Sequence, residues 1–159
     1  MRLYFSNILQ KTDKKAVWLM QGWLFVDNGF WNEPQMKALL TSVPLGKMLV
    51  LDLDSTNREQ YSRSKSYFGQ PFIFNMLHDF GGQMALFGRK NVINSRPFEA
   101  RAIEGSTMVG TGFTMEGIHN SYIMYDLMSE ISWRTKPIDD LEAWFEVLCS
   151  IFRCDRISR

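Results

Sequence analysis

The stretch Ser106-Thr-Met-Val-Gly-Thr-Gly-Phe-Thr-Met-Glu-Gly-Ile-His-Asn120 decides how the chain is read. Its first half has the apolar, small-residue pattern of a buried strand, its middle is a glycine-punctuated turn, and its end opens a helix. Strand, turn and helix in that order make one β/α unit. Glu116 falls between the strand and the helix. A carboxylate at the carboxyl end of a parallel strand stands where barrels and open α/β sheets carry their chemistry.

Three more stretches repeat the strand pattern on the amino-terminal side. Ala16-Val-Trp-Leu-Met20, Lys47-Met-Leu-Val-Leu-Asp-Leu53 and Pro71-Phe-Ile-Phe-Asn-Met-Leu77 are short apolar runs of the kind buried on both faces. Helical stretches separate them. One starts at Glu33-Pro34, with Pro34 at the favoured first position and Met36, Leu39 and Leu40 as its stripe. Another is expected over 83–94, broken by Arg96-Pro97. A third follows Asn120 as N-cap, with Ile123, Leu127 and Ile131 on one face. The last begins between Pro137 and Asp140 and carries Leu141, Trp144, Phe145, Leu148 and Phe152. Residues 55–70 are polar and read as a loop with at most a short helix.

The spacing therefore predicts one domain over residues 1–152 and an unpacked basic tail over 153–159. Right-handed βαβ connections are the expected wiring. Two architectures fit: a small open α/β sheet of flavodoxin-like type, or part of a (β/α)₈ TIM barrel. A whole barrel takes about 250 residues, and this chain has half the strands.

Composition narrows the function classes. The 159 residues are 45% hydrophobic, enough for a substantial core, and the formal net charge of +1 offers no electrostatic reason to expect nucleic acid or an anionic membrane as partner. No apolar run approaches the roughly 18 residues that span a bilayer. Ser6 and Asn7 interrupt the short apolar amino terminus, so no signal peptide is read there, and on composition alone the chain reads as intracellular. Cys149 and Cys154 are poorly spaced for a disulfide, and with His78 and His119 they form no ligand cluster, so neither metal nor cofactor is expected. There is no Gly-x-Gly-x-x-Gly or P-loop for a nucleotide, and no serine nucleophile elbow.

Acids and their neighbours gather at strand ends: Asp52 and Asp54, His78 and Asp79, and Glu116. Aromatics gather after the first strand at Trp23, Phe25, Phe30 and Trp31. Carboxylates and aromatic walls on one face are what a glycoside hydrolase requires. Each residue also has an ordinary reading: Glu116 as a solvated loop residue, Trp23 as core, His78 as a hydrogen-bonded structural histidine.

Five motifs in one colinear order carry a family resemblance. They are Ala16-Val-Trp-Leu-Met-Gln-Gly-Trp-Leu-Phe25, Leu49-Val-Leu-Asp-Leu53, Gln70-Pro-Phe-Ile, Met76-Leu-His-Asp-Phe-Gly-Gly82, and Ser106-Thr-Met-Val-Gly-Thr-Gly with Glu116-Gly. Over residues 13–146 the chain resembles the alpha-N-acetylglucosaminidases of glycoside hydrolase family 89. The resemblance implies a (β/α)₈ catalytic domain and a retaining mechanism. It implies a glycan partner ending in alpha-linked N-acetylglucosamine, chiefly heparan sulfate, and a lysosomal location. It also implies that Glu116 is the nucleophile, that Trp23 and Leu53 line the sugar pocket, and that His78 lies near it.

The chain departs from the family pattern as well. No Asn-Glu pair, the motif of the family's acid/base glutamate, precedes Ala16, and the internal pair Asn32-Glu33 follows the wrong strand. The chain alone is therefore expected to carry the nucleophile side of the site without its acid, to be marginally stable or to aggregate, and to be inactive by itself. The competing expectation is a catalytically inert fragment or glycan-binding module.

Overall fold

In the computed structural model, residues 8–79, 88–118 and 120–157 are described, with side chains described as far as Ile151. Four strands form one parallel sheet in the order β1-β2-β3-β4: β1 (Trp18–Gln21), β2 (Met48–Asp52), β3 (Phe72–Met76) and β4 (Met108–Phe113). Sequential order with every neighbour parallel is the wiring of a barrel segment, not of a doubly wound sheet, whose strand order reverses. The helices are α1 (Glu33–Leu40), α2 (Lys90–Ala102), α3 (Tyr122–Trp133) and α4 (Leu141–Ile157). None in the described residues is long and apolar enough to cross a membrane.

The alternation along β2 fixes the layering. Met48, Val50 and Asp52 are buried, while Leu49 and Leu51 are half-buried. The first set faces the helices and joins Phe72, Phe74 and Met76 of β3, together with Met36, Leu40, Leu127, Met128 and Ile131, in a single core. Tyr61 stacks on Phe72 within it, with ring centroids 5.5 Å apart. The second set lies on the opposite face, where Leu19 of β1 is 59% exposed. The expectation of strands buried on both faces thus holds for the helix face of β2 and β3, while β4, also read as a buried strand, has no buried residue.

A bulge between β3 and β4 brings two glycines onto that open face. Phe72 pairs with Met108, but Ile73 pairs with Gly110, leaving Val109 as the extra residue. Gly112 then lies beside Asn75, where a Cβ would come within 2.4 Å of Asn75 Oδ1. A side chain there would have to displace the Asn75 amide.

Several boundaries differ from the sequence reading, each for a local reason. Helix α2 runs through Pro97, because Ile93, Pro97 and Ala100 are buried along one stripe and that packing offsets the missing backbone bond. Residues 80–87, where an earlier helix start was expected, lie outside the described residues. The 55–70 loop holds one short turn, Lys65–Phe68, whose four residues all have φ near +50°. A left-handed run costs about 1–2 kcal/mol per residue. It is held by the Ser64 hydroxyl, which accepts from the Tyr67 amide at 3.0 Å, and by complete burial of Tyr67. Helix α3 takes Ser121 rather than Asn120 as its N-cap residue. Helix α4 continues to Ile157, into the segment read as an unpacked tail.

Candidate active site

Because all four strands are parallel, their carboxyl ends share one rim, and each sequence-derived candidate sits just past one of them. Trp23 follows β1 in a 3-10 turn, Gly22–Val26. Leu53 follows β2, His78 lies two residues past β3, and Glu116 lies three past β4. Each thus belongs to a different strand end.

Trp23 is placed by its neighbour. A Cβ on Gly22 would come within 2.9 Å of the Leu51 carbonyl oxygen, so the turn can lie against β2 only with glycine there. Trp23 itself is half-buried, with the Arg58 guanidinium 5.8 Å from its ring centroid. Phe25, two residues on, is fully buried and packs edge-on against Trp31 at 5.3 Å. Of the aromatic cluster in the sequence, Phe25 is core. Leu53 is half-buried at the open face.

Asp52 and Asp54 are structural. Asp52 is buried and accepts hydrogen bonds from the backbone amides of Gln60 (3.0 Å) and Tyr61 (3.2 Å), tying the following loop to the end of β2. Burial pushes its carboxyl up to about 6, against the lowering effect of those bonds. Asp54 accepts from the Thr56 hydroxyl at 3.3 Å and is likewise pushed to about 6 by burial, with Arg58 and Arg89 opposing the shift.

His78 and Asp79 are both buried at the end of β3. Burial lowers the imidazole's proton affinity and the neighbouring Asp79 partly restores it. The His78 ring meets Tyr125 of α3 edge-on at 5.9 Å. Among the described residues neither carboxylate oxygen of Asp79 has a hydrogen-bond partner, although the residue is only 2% exposed.

Glu116 is exposed in the turn between β4 and α3, flanked by Met115 at 65% and Ile118 at 89% exposure. The carbonyls of Glu116 and Gly117 both accept from Asn120 Nδ2 at 3.1 Å, and the Tyr125 hydroxyl donates to Asn120 Oδ1 at 2.8 Å. The link from Asn120 to Tyr125 and the Glu116 turn escaped the sequence reading, which took Asn120 as a helix cap. Asn120 has the residue type of a cap, and Tyr125 has the spacing of a core residue. His119 lies outside the described residues.

The internal Asn32-Glu33 pair is a helix start and an ion pair. Glu33 opens α1, and its carboxylate accepts from Lys65 Nζ at 2.6 Å, which holds its pKa below the ordinary value. A general acid at neutral pH needs the opposite shift. Among the described residues, no group of three or more His, Cys, Asp or Glu side chains is placed to hold a metal.

The alpha-N-acetylglucosaminidase (NAGLU) TIM-barrel domain matches residues 4–135. The chain belongs to that family. A human alpha-N-acetylglucosaminidase is 49% identical over 133 residues, which are 83% of this chain and 18% of the human protein. Two structures of a family 89 glycoside hydrolase from Clostridium perfringens are also similar at 27% identity over 91% of this chain and 15% of theirs. One is in complex with 2-acetamido-1,2-dideoxynojirmycin (TM-score 0.76) and the other with PUGNAc (TM-score 0.77). A third, at 26% identity and TM-score 0.75, is a complex of that enzyme with its substrate GlcNAc-alpha-1,4-galactose. The chain thus spans less than a fifth of the length of these glycosidases. It is part of a (β/α)₈ barrel by family and by sheet topology.

Proposed function

We propose that the chain carries the nucleophile side of an alpha-N-acetylglucosaminidase active site. In this reading Glu116 attacks the anomeric carbon of a terminal alpha-linked N-acetylglucosamine. The glycosyl–enzyme ester it forms is then hydrolysed, so that the product keeps its configuration. Trp23 and Leu53 line the sugar pocket, with His78 beside it, and the natural glycan is heparan sulfate, handled in the lysosome. The observation that supports the reading most is the position of Glu116, a freely exposed carboxylate on the rim turn after β4 in a chain of this family.

A retaining mechanism also needs an acid about 5–5.5 Å from the nucleophile. Glu33 is in the wrong electrostatic state to serve, since its pKa is lowered and it is tied to Lys65. Asp52 is occupied by two backbone amides. On this reading the acid is the glutamate of the Asn-Glu motif that the family resemblance implies and that these 159 residues do not match, and general acid–base assistance of about 10²–10⁴-fold is what the chain alone lacks. In a family member carrying this barrel segment within a whole barrel, Glu116→Gln is expected to abolish hydrolysis of an aryl alpha-N-acetylglucosaminide. Full activity in that variant would remove Glu116 from the mechanism.

The second reading is an inert glycan-binding module, favoured by the missing Asn-Glu pair. Its mark is binding of an N-acetylglucosamine-type iminosugar with affinity unchanged by Glu116→Gln and no bond cleavage of any kind.

A further inference from the structure

The turn that presents Glu116 has almost no packing of its own. Met115 and Ile118 point into solvent, Glu116 is exposed, and Gly117, at φ +70°, is the left-handed residue that reverses the chain. Such a segment opens locally at little free-energy cost. A nucleophile held on it would miss the near-attack geometry on which displacement depends. Something must fix it.

We propose that Asn120 and Tyr125 are positioning residues that clamp the Glu116 turn to helix α3; the proposal rests on the reading of Glu116 as nucleophile. The Asn120 amide group donates to two successive carbonyls, those of Glu116 and Gly117, each at 3.1 Å. One side-chain group thus spans the residue that carries the carboxylate. An amide can do this in only one orientation, because its oxygen turned toward two carbonyls would be repelled. The two carbonyls, which only accept, select that orientation, and the Tyr125 hydroxyl completes it by donating to Asn120 Oδ1 at 2.8 Å.

Tyr125 is itself fixed and kept a donor. It is buried in the first turn of α3, edge-on to Phe113 of β4 at 5.6 Å and to His78 at 5.9 Å. Burial and the nearby Asp79 carboxylate raise its phenol above the usual range, so it stays protonated at neutral pH. The clamp thus ties the turn after β4 to α3, whose Tyr125 in turn packs on His78 past the end of β3. It also explains why the Asn120 side chain is unavailable as a helix cap: it faces backward into the turn.

The test uses the 159-residue chain, isotopically labelled, with Asn120→Asp, Asn120→Ala and Tyr125→Phe. Asn120→Asp keeps the side-chain shape but sets oxygens against both carbonyls. It is expected to shift the carbonyl ¹³C resonances of Glu116 and Gly117, the signature of the lost hydrogen bonds. It should also lower the backbone order of residues 116–118, read from ¹⁵N relaxation, because the turn loses both bonds from the Asn120 side chain. Tyr125→Phe should give the same direction at about a third of the size, and Asn120→Ala should resemble Asn120→Asp. Exchange along β1–β3 should not change, which separates loss of the clamp from loss of the fold.

Unmoved Glu116 and Gly117 resonances with wild-type backbone order at residues 116–118 in Asn120→Asp would overturn the proposal. So would loosening that spreads evenly over the sheet. A parallel assay with an aryl alpha-N-acetylglucosaminide bearing a good leaving group addresses the nucleophile reading separately. With turnover, Asn120→Asp should lower kcat about tenfold and leave KM within about twofold. A change confined to KM would count against positioning. Leaving-group release that survives Glu116→Gln would sink the nucleophile reading and leave the resonances to decide the clamp.

Discussion

The two faces of the same four-stranded sheet behave as different materials. On the helix face, Met48, Val50, Phe72, Phe74 and Met76 are at most 1% exposed and sit against α1 and α3 in one core. On the other face Leu19 is 59% exposed, Leu49 and Leu51 are half-covered, and Gly110 and Gly112 offer no side chain at all. In a (β/α)₈ barrel that second face is filled by layers of side chains drawn from all eight strands. The outer side of β4 shows the same incompleteness. Val109, Phe113 and Trp133 line a groove of about 530 Å³ beside its edge, with Trp133 90% exposed. Local helix packing is complete within a β/α unit, whereas the barrel interior belongs to no unit alone.

This contrast is breakable by mutation, and the largest effect is expected on the covered face. Phe74→Ala should lower the unfolding free energy by about 3–5 kcal/mol, the range for a fully buried aromatic. Leu19→Ala should cost under about 1 kcal/mol, since most of its surface is already in water. Urea denaturation of both variants checks the pair. Equal losses would mean that the open face is covered in solution.

Acid should strengthen the covered face. Asp52 and Asp54 titrate near 6 in the folded chain against 3.8 for the unpaired group. The folded state therefore binds more protons than the unfolded state between those values, and stability rises as pH falls from 7 toward 4. The gain reaches up to about 3 kcal/mol for Asp52, at about 1.36 kcal/mol per pKa unit. Asp54, also buried, adds a gain in the same direction. Unfolding midpoints at pH 7 and pH 5, with Asp52→Asn as the comparison, measure the effect. A wild-type midpoint that falls on acidification to pH 5 would contradict it.

The glycine beneath Trp23 gives a smaller effect. Gly22→Ala should cost about 1–3 kcal/mol, because the new methyl meets the Leu51 carbonyl and not a flexible side chain. It should also dull the Trp23 environment, visible in tryptophan fluorescence. Wild-type stability and spectrum in this variant would show that the turn adjusts freely.

What the sequence disclosed follows the same division. Strand runs such as Leu49–Leu53 and the stripe Met36, Leu39, Leu40 were legible because apolar spacing reports burial within one unit. The rim residues were legible because their position at strand ends follows from parallel wiring. Pro97 misled, since a breaker's cost is local and the packing that outweighs it is not. The expectation of strands buried on both faces also failed here. An apolar run records the partner a face was built for, whether or not that partner lies within the 159 residues. The Asn120–Tyr125 pair was invisible because one hydrogen bond between residues five apart leaves no periodic trace.

The central claim is that Glu116 is the nucleophile of a half-site whose acid lies elsewhere. An activated substrate, 2,4-dinitrophenyl alpha-N-acetylglucosaminide, needs no acid to expel its leaving group, so it isolates the step that Glu116 would perform. Incubated with the 159-residue chain, it is expected to release dinitrophenolate and to leave one N-acetylglucosaminyl ester on the peptide containing Glu116, found by mass spectrometry and absent in Glu116→Gln. An ester on another residue, or dinitrophenolate release that Glu116→Gln leaves unchanged, would contradict the account.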